Sequence, residues 1–331
     1  MRKIKIAQIG TNPNSHGQDI LNCMKNMPDL FDIVGYALPE NESEKFPDCM
    51  EIFEKIPQMT VEEILNNPDI EAVTIETEEI YLTKYAILAA EHKKHIHIEK
   101  PGGLNLKEFE YLISVAKKNN TILHFGYMYR YNPYIMRLMD RIKNGQLGRI
   151  ICVEAQMNCY HTLPLRQWLK TFKGGTMFFL GCHLIDMILQ IQGEPENIIS
   201  LSRASKVDGI DSEDFGMAVF EYKNGVSFAK TSSVELGGFT RRQLVVAGTK
   251  GTIEIRPLEF FEEFPKQTTG YREVFSNDWL ADSKIEFTDE FCRYDDMMIS
   301  FAEMVSGKKE NPYSYDYELM LYKCILKACG M

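Results

Sequence analysis

The first 125 residues alternate short apolar runs, rich in β-branched residues, with amphipathic segments, and this order constrains the fold most. Parallel strands joined by crossover helices require such an alternation. The pattern predicts strands at Ile4–Ile9, Ile33–Ala37, Ala72–Glu76, His95–Ile98 and Ile122–Phe125. Helical spacing of apolar residues predicts helices at Gln18–Asn26, Val61–Asn66, Tyr81–Lys93 and Leu106–Asn119. We therefore expect an α/β domain with a parallel sheet over residues 1–125.

A different pattern begins near residue 126, where a predicted helix at Pro133–Lys143 precedes longer alternating runs. These runs predict a meander of antiparallel strands in one open sheet: Ile150–Asn158, Asn197–Ser205, Phe215–Tyr222, Gly225–Glu235 and Gln243–Gly248. Apolar helical spacing covers Thr176–Gln192, and a last helix is expected at Tyr317–Cys329. Residues 126–331 are thus expected to form an α+β domain for substrate binding and oligomerisation, with a homo-oligomer covering the apolar face of the sheet.

Composition limits the classes of function. A net charge of -10 argues against a nucleic-acid partner, since a phosphate-binding surface needs an excess of Lys and Arg. The start of the chain runs directly into a strand without a leader pattern, and no apolar run has the length of a membrane span. The eight cysteines have no CxxC spacing. We expect a cytoplasmic protein with reduced thiols and no membrane association.

The turn after the first predicted strand, Gly10-Thr11-Asn12-Pro13-Asn14-Ser15-His16-Gly17, partly matches a dinucleotide-binding glycine loop. Gly10 fits, Asn12 stands at the second glycine position, and Ser15 could cap a helix whose N-terminus faces an anion. Leu38 ends the second strand, where an acidic residue usually binds ribose hydroxyls, and Glu40 is the nearest substitute. No Arg follows for a 2′-phosphate, which favours NAD over NADP. The alternative is a helix-entry loop that binds no ligand.

Lys100 follows the fourth predicted strand in His97-Ile98-Glu99-Lys100-Pro101. The carboxyl edge of a parallel sheet is where such folds bind ligands, and an ammonium there can stabilise a developing oxyanion. A solvated surface lysine is the alternative.

Several segments in order resemble the glucose–fructose oxidoreductase/inositol dehydrogenase (Gfo/Idh/MocA) family. They are Glu99-Lys100-Pro101, Gly126-Tyr127-Met128-Tyr129-Arg130-Tyr131-Asn132-Pro133, Gly145-Gln146-Leu147-Gly148, Gly174-Gly175 with Gly181-Cys182-His183-Leu184-Ile185-Asp186, Gly193-Glu194-Pro195, and Ala247-Gly248-Thr249-Lys250-Gly251. The resemblance implies a Rossmann-type first domain with a nicotinamide cofactor. It also implies a sugar or cyclitol substrate, held between that domain and the open sheet.

Residue roles follow from the resemblance by position. Lys100 binds the reacting oxygen and His183 is the acid/base group, because an imidazole suits removal of a hydroxyl proton. Thr77, Glu99, His16 and Arg130 would line the cofactor site, whereas Tyr129, Arg166 and Trp168 would line the substrate site. Without the resemblance, His183 is better explained as a buried helix histidine than as an acid/base group. Arg166 and Trp168 are then better explained as packing residues.

The sequence departs from the family pattern at the positions expected to carry out catalysis and to bind the cofactor. Phe179 replaces the Asp that usually precedes the histidine by four residues, and Asp186, one helical turn beyond, is expected to face elsewhere. Glu78 and Glu79 follow the third strand, where their charges would repel a phosphate. The favoured function is an NAD-dependent oxidoreductase acting on a sugar or polyol. The alternatives are a non-catalytic relative for ligand sensing or partner binding, and redox-neutral lyase or glycosidase chemistry with recycled NAD. His161, His183, His16 and Cys182 match no metal-ligand template, so no metal is expected.

Overall fold

The computed structural model describes residues 2–331 and divides the chain into two compact units. The first unit contains the chain as far as Gly126 together with Tyr294–Leu319, and the second contains Tyr127–Arg293 and Met320–Met331. Within residues 2–331, no helix combines the length and the apolar character that a membrane crossing requires.

The first unit is built on a five-stranded sheet with the order β2-β1-β3-β4-β5, in which every pair of neighbours is parallel. Its strands are β1 (Ile4–Ile9), β2 (Phe31–Ala37), β3 (Ala72–Ile75), β4 (His95–Ile98) and β5 (Leu123–Phe125). Crossover helices follow the strands: α1 (Gly17–Lys25), α2 (Glu42–Lys45), α3 (Val61–Asn66), α4 (Leu82–Glu91) and α5 (Leu106–Asn119). The strand order reverses beside β1, which is the arrangement of dinucleotide-binding folds. The predicted Rossmann-type sheet is confirmed.

The second unit contains an eight-stranded, mainly antiparallel sheet with the order β15-β14-β11-β10-β6-β9-β8-β7. Its strands are β6 (Ile150–Asn158), β7 (Asn197–Ser200), β8 (Phe215–Tyr222), β9 (Gly225–Ser232), β10 (Gln243–Gly248), β11 (Thr252–Ile255), β14 (Gly270–Val274) and β15 (Glu286–Phe287). A smaller sheet joins β12 (Phe260–Glu263), β13 (Lys266–Thr268) and β16 (Phe291–Cys292). The predicted open sheet is confirmed, but it is not a simple meander, because β6 and β9 are parallel neighbours.

The helices of the second unit include α6 (Pro133–Lys143), α7 (Leu163–Trp168) and α8 (Cys182–Gln192). The predicted helix at Thr176–Gln192 begins with a π-helical turn at Met177–Gly181 before α8. Every residue of that turn is buried. A wide turn inside a buried apolar helix is an irregularity often found at functional sites.

The compact units differ from the predicted division at residue 126, because a late segment rejoins the first unit. This segment contains α9 (Asp295–Val305) and the start of α10 (Tyr315–Ala328). The ring of Phe301 stacks on His124 at 5.2 Å, and the side-chain amide of Asn311 donates to the carbonyl of Leu123 at 3.0 Å. These contacts attach the segment to β5, the edge strand of the parallel sheet.

Candidate functional site

The loop after β1 is pressed against the end of β3. Gly10 has a φ of +94°, and a Cβ at this position would lie 2.4 Å from the backbone nitrogen of Thr77. Only glycine combines that backbone angle with that approach. The loop therefore lies at the carboxyl edge of the sheet, where folds of this class bind ligands.

Asn12 ties this loop to the turn after β3. Its backbone N–H donates to the carbonyl of Glu76 at 2.9 Å, and its side-chain amide donates to Glu79 Oε2 at 3.1 Å. Its Oδ1 accepts the backbone N–H of Asn14 at 3.0 Å. The side chain at the second glycine position is thus fully buried inside the loop.

The N-terminus of α1 has no side-chain cap from the residue that precedes it, His16. The predicted cap, Ser15, donates its hydroxyl to the carbonyl of Asn12 at 2.9 Å and accepts a long bond of 3.4 Å from Gly17. The first N–H groups of a helix have no partners within the helix and carry a partial positive charge. This end of α1 can therefore receive an anion.

Glu42, and not the predicted Glu40, accepts a hydrogen bond from the loop after β1. The backbone N–H of Thr11 donates to Glu42 Oε2 at 2.9 Å, whereas Glu40 accepts bonds from Lys84 and Tyr85 away from the loop. Glu42 is fully buried, and burial raises its pKa to about 8. Sequence reasoning missed Glu42 because it lies on α2, beyond the strand end, and only the local fold shows which acid turns back to the loop.

Glu78 and Glu79 do not present two free charges to this edge. Glu78 forms an ion pair of 3.0 Å with Lys45. Glu79 is buried, and burial raises its pKa to about 8, so that it is largely uncharged at neutral pH. Burial and the nearby Glu99 also raise the pKa of Glu76 well above its usual value. The expected repulsion of a phosphate is therefore weak.

Lys100 is not a solvated surface residue, because its side chain is only 1% exposed. Its Nζ lies 3.4 Å from Oε1 of Glu99, which is equally buried. Burial raises the pKa of Glu99, but the stronger combined effect of His16 and Lys100 lowers it to about 2. The peptide bond between Lys100 and Pro101 is cis. The end of β4 therefore holds a buried ammonium beside an ionised carboxylate.

In the second unit, His183 lies in the first turn of α8 and is 2% exposed. The rings of Tyr127 and Tyr129 contact its imidazole edge-on, with ring centroids 5.7 and 5.0 Å away. Both tyrosines belong to the segment that follows the first unit. Tyr129, a predicted substrate residue, and His183 are thus neighbours within one unit.

Arg130, predicted near the cofactor, forms a bidentate ion pair with Asp186 in the second unit. Its Nε donates to Oδ2 of Asp186 at 2.9 Å, and its Nη2 donates to Oδ1 at 2.7 Å. The amide of Gln190 also donates to Asp186 at 2.8 Å. The carboxylate of Asp186 is therefore directed to Arg130, and Arg130 contributes to the support of α8.

Arg166 and Trp168, the other predicted substrate residues, contact neighbouring residues of the second unit. Arg166 donates to the carbonyls of His161 and Val207 and forms an ion pair with Asp208. The ring of Trp168 meets Phe179 edge-on at 5.3 Å. Phe179 thus occupies an aromatic cluster at the position of the missing Asp. In the described chain, residues 2–331, no three His, Cys, Asp or Glu side chains gather as a metal site.

Two family models match separate parts of the chain. Residues 3–127 match the model of an oxidoreductase family with an NAD-binding Rossmann fold, and residues 135–254 match the GFO/IDH/MocA C-terminal domain. The chain belongs to the Gfo/Idh/MocA family. The predicted family membership is confirmed, and the family consists of NAD(P)-binding oxidoreductases that include inositol dehydrogenases.

Relatives within the Gfo/Idh/MocA family are distant. The chain is 24% identical over 258 residues to the uncharacterised oxidoreductase YrbE of Bacillus subtilis, covering 76% of this chain and 72% of YrbE. It is 26% identical over 196 residues to myo-inositol 2-dehydrogenase of Thermotoga maritima, covering 58% of each chain. A levoglucosan dehydrogenase solved with NADH and levoglucosan shares the fold, with a TM-score of 0.80, 19% identity and coverage of 99% of this chain and 97% of that one.

Proposed function

We propose that the chain is an NAD-dependent oxidoreductase that transfers a hydride between the cofactor and a hydroxyl or carbonyl group of a sugar, cyclitol or related polyol. The observation that carries this proposal is the buried ammonium of Lys100 at the carboxyl edge of the parallel sheet. A lysine is rarely buried without a function, because removing its charge from water is costly. The names of the inositol and levoglucosan dehydrogenases support this substrate class.

The residues of the first unit fit a dinucleotide. The tight turn at Gly10 and the uncapped start of α1 suit the pyrophosphate. Oε1 of Glu42 and Oγ1 of Thr11 are buried polar atoms at this loop, and they can bind ribose hydroxyls. An acid at this position disfavours a 2′-phosphate, so NAD is proposed over NADP.

Lys100 and His183 divide the work at the substrate. The bound nicotinamide supplies the site that accepts or donates the hydride. The ammonium of Lys100 holds the reacting oxygen and stabilises negative charge on it. The imidazole of His183 accepts the hydroxyl proton during oxidation and returns it during reduction. Tyr127 and Tyr129 fix the plane of that imidazole. Because Phe179 cannot accept a proton, His183 carries this step without the usual Asp.

The test is the variant Lys100→Met compared with Lys117→Met, which removes an exposed lysine of the same unit. We expect Lys100→Met to fold and bind NAD but to lose about 100- to 1,000-fold in kcat with its polyol substrate, as removal of an oxyanion donor does. Lys117→Met should retain wild-type kcat. An active Lys100→Met enzyme would contradict the mechanism.

Cofactor binding is tested separately by thermal unfolding with NAD and NADP. At 100 times its dissociation constant, a bound cofactor adds about 2.7 kcal/mol to the free energy of unfolding. We expect a clear stabilisation by NAD and a smaller one by NADP. No stabilisation by either cofactor would instead favour the non-catalytic alternative, a ligand-sensing or partner-binding relative.

A further inference from the structure

Glu99 links the loop after β1 to Lys100 through its two carboxylate oxygens. Oε1 lies 3.4 Å from Nζ of Lys100, and Oε2 lies 3.3 Å from Nδ1 of His16. All three residues belong to the first unit. One carboxylate is therefore divided between the ammonium at the end of β4 and an imidazole at the start of α1.

The burial of the three side chains decreases from β4 towards the loop. Glu99 and Lys100 are each 1% exposed, whereas the side chain of His16 is 21% exposed. An ion pair inside a protein is stronger than one in water, so Lys100 and Glu99 would bind each other tightly if nothing else held the carboxylate. His16 is therefore the most exposed member of this group.

The orientation of His16 is fixed by its surroundings and not by α1. It precedes the helix, and its carbonyl accepts the N–H of Ile20 at 2.8 Å, but its side chain makes no capping bond to α1. Its ring packs against Tyr294 at 5.5 Å, and the hydroxyl of Tyr294 donates to Asp19 at 3.2 Å. The titratable groups that the structure records against the imidazole are Glu99 and His97 at β4 and Tyr294 before α9.

We infer that His16 is a positioning residue for Lys100. It retains one oxygen of Glu99, so that the carboxylate cannot turn both oxygens to the ammonium, and the N–H bonds of Lys100 remain directed to the reacting oxygen. The loop expected to receive the cofactor thereby also sets the position of the reacting ammonium. This inference rests on the role of Lys100 proposed above.

The coupling is measured first in the chain without cofactor, by an NMR titration of the seven histidine imidazoles labelled at Cε1. The signal of His16 is assigned by its loss in His16→Gln. We expect Lys100→Met to move the titration of His16 to higher pH by about half a pH unit or more, because a nearby cation is removed. Glu99→Gln should move it to lower pH, because its anion is removed.

The matched control is Lys117→Met, which removes a distant surface cation of the same unit and should leave the titration of His16 unchanged. If Lys100→Met also leaves it unchanged, His16 and Lys100 are not coupled and the inference is wrong. This measurement needs no turnover, so it remains informative even if the proposed oxidoreductase activity is absent.

The second measurement is a double-mutant cycle on kcat. His16→Gln and Glu99→Gln should each lower kcat by roughly tenfold, and the double variant should be no slower than Glu99→Gln alone, because His16 acts through Glu99. The dissociation constant of NAD is measured by fluorescence in each variant, and kcat is compared at saturating NAD so that any change in cofactor affinity does not enter the cycle. Multiplicative losses in the double variant, or a wild-type kcat in His16→Gln, overturn the inference. If His16→Gln does not fold, His16→Asn replaces it. A wild-type chain without turnover or cofactor binding would contradict the proposed function instead.

Discussion

Glu42 contacts the loop after β1 and is the acid proposed here to bind the cofactor ribose. One oxygen accepts the backbone N–H of Thr11 inside the loop, and the whole side chain is buried. The cost of burying a carboxylate is reduced when it is protonated, which is why burial raises the pKa of Glu42 to about 8. Its charge, and with it the choice of cofactor, should therefore depend on pH near neutrality.

We expect the preference for NAD over NADP to increase from pH 7 to pH 9, because ionised Glu42 repels a 2′-phosphate more strongly than the protonated acid does. The dissociation constant for NADP divided by that for NAD should rise by roughly tenfold between these pH values, or about 1.4 kcal/mol. Fluorescence titrations of the reduced cofactors at both pH values measure it. In Glu42→Gln the ratio should be smaller and independent of pH.

The control for this experiment is Glu40→Gln, which alters the acid that pairs with Lys84 and Tyr85 away from the loop. It should behave as the wild type does. A wild-type ratio that does not depend on pH, or a pH dependence that persists in Glu42→Gln, would argue against Glu42 as the determinant of cofactor choice.

At the scale of elements, the ends of β3 and β4 bring Glu76, Glu79 and Glu99 together in the interior of the first unit. Strong mutual repulsion is avoided because the acids differ in protonation. His16 and Lys100 keep Glu99 ionised, whereas burial favours the protonated forms of Glu76 and Glu79. This arrangement makes the stability of the first unit depend on pH.

The sign of that dependence follows from proton linkage. Glu79 has a folded pKa of about 8 against 4.5 for its ordinary value, so between these values the folded state binds the proton that the unfolded state has lost. Its contribution to stability is fully present below pH 4.5 and is lost as the pH rises through 8. We expect the free energy of unfolding to fall between pH 6.5 and 8. The effect of one such group is at most about 1.4 kcal/mol per pH unit.

Urea denaturation at pH 6.5, 7.25 and 8 measures this slope. Burial lowers the pKa of His97 from 6.5 to about 4, which opposes the slope near pH 6.5 but little at pH 7.25 and above, so the upper interval is the more diagnostic one. Glu79→Gln keeps an oxygen that can accept the hydrogen bond from the Asn12 side chain. It should reduce the slope of the free energy of unfolding against pH by the amount that one titrating carboxyl contributes. Glu78→Gln, which changes the neighbouring acid paired with Lys45, should keep the wild-type slope. Equal slopes in wild type and Glu79→Gln would show that Glu79 is ionised throughout.

At the scale of the whole molecule, the eight-stranded sheet has one face of partly exposed side chains. Cross-strand neighbours on this face form an apolar row, since Ile199 pairs with Val219 and Val219 pairs with Phe228. Buried residues alternate with them, for example Ala218 and Phe220 in β8. An apolar row of this kind on an open sheet is typical of an interface, and we propose that a second copy of the chain covers it.

We expect Val219→Asp to convert a homo-oligomer into monomers, because it places a charge in the centre of that row, between Ile199 and Phe228. Light scattering coupled to size-exclusion chromatography measures the change in mass. Tyr111→Ser, which alters an aromatic residue 51% exposed on α5 of the first unit, is the control and should leave the mass unchanged. A monomeric wild-type chain would contradict this assembly.

Much of the element order followed from local sequence. The predicted bounds of β1, β4, α3, α5, α6, β6, β8 and β10 agree with the structure, because in each case one periodic apolar pattern determines the element. The segment from Tyr294 to Leu319 was not predicted to rejoin the first unit, because that contact joins residues nearly two hundred positions apart. The π-helical turn at Met177–Gly181 was likewise missed, because a buried apolar run has no period that distinguishes it from an α-helix.

The sequence by itself determined the fold class and the family, and it singled out Lys100 and His183 as the residues to test, because these depend on periodicity and on short motifs whose spacing is local. Only the tertiary structure decided that Glu42 and not Glu40 meets the loop, that Arg130 binds Asp186, and that Glu99 is divided between His16 and Lys100. Such pairings join residues far apart in the chain, and burial decides both their strength and their protonation.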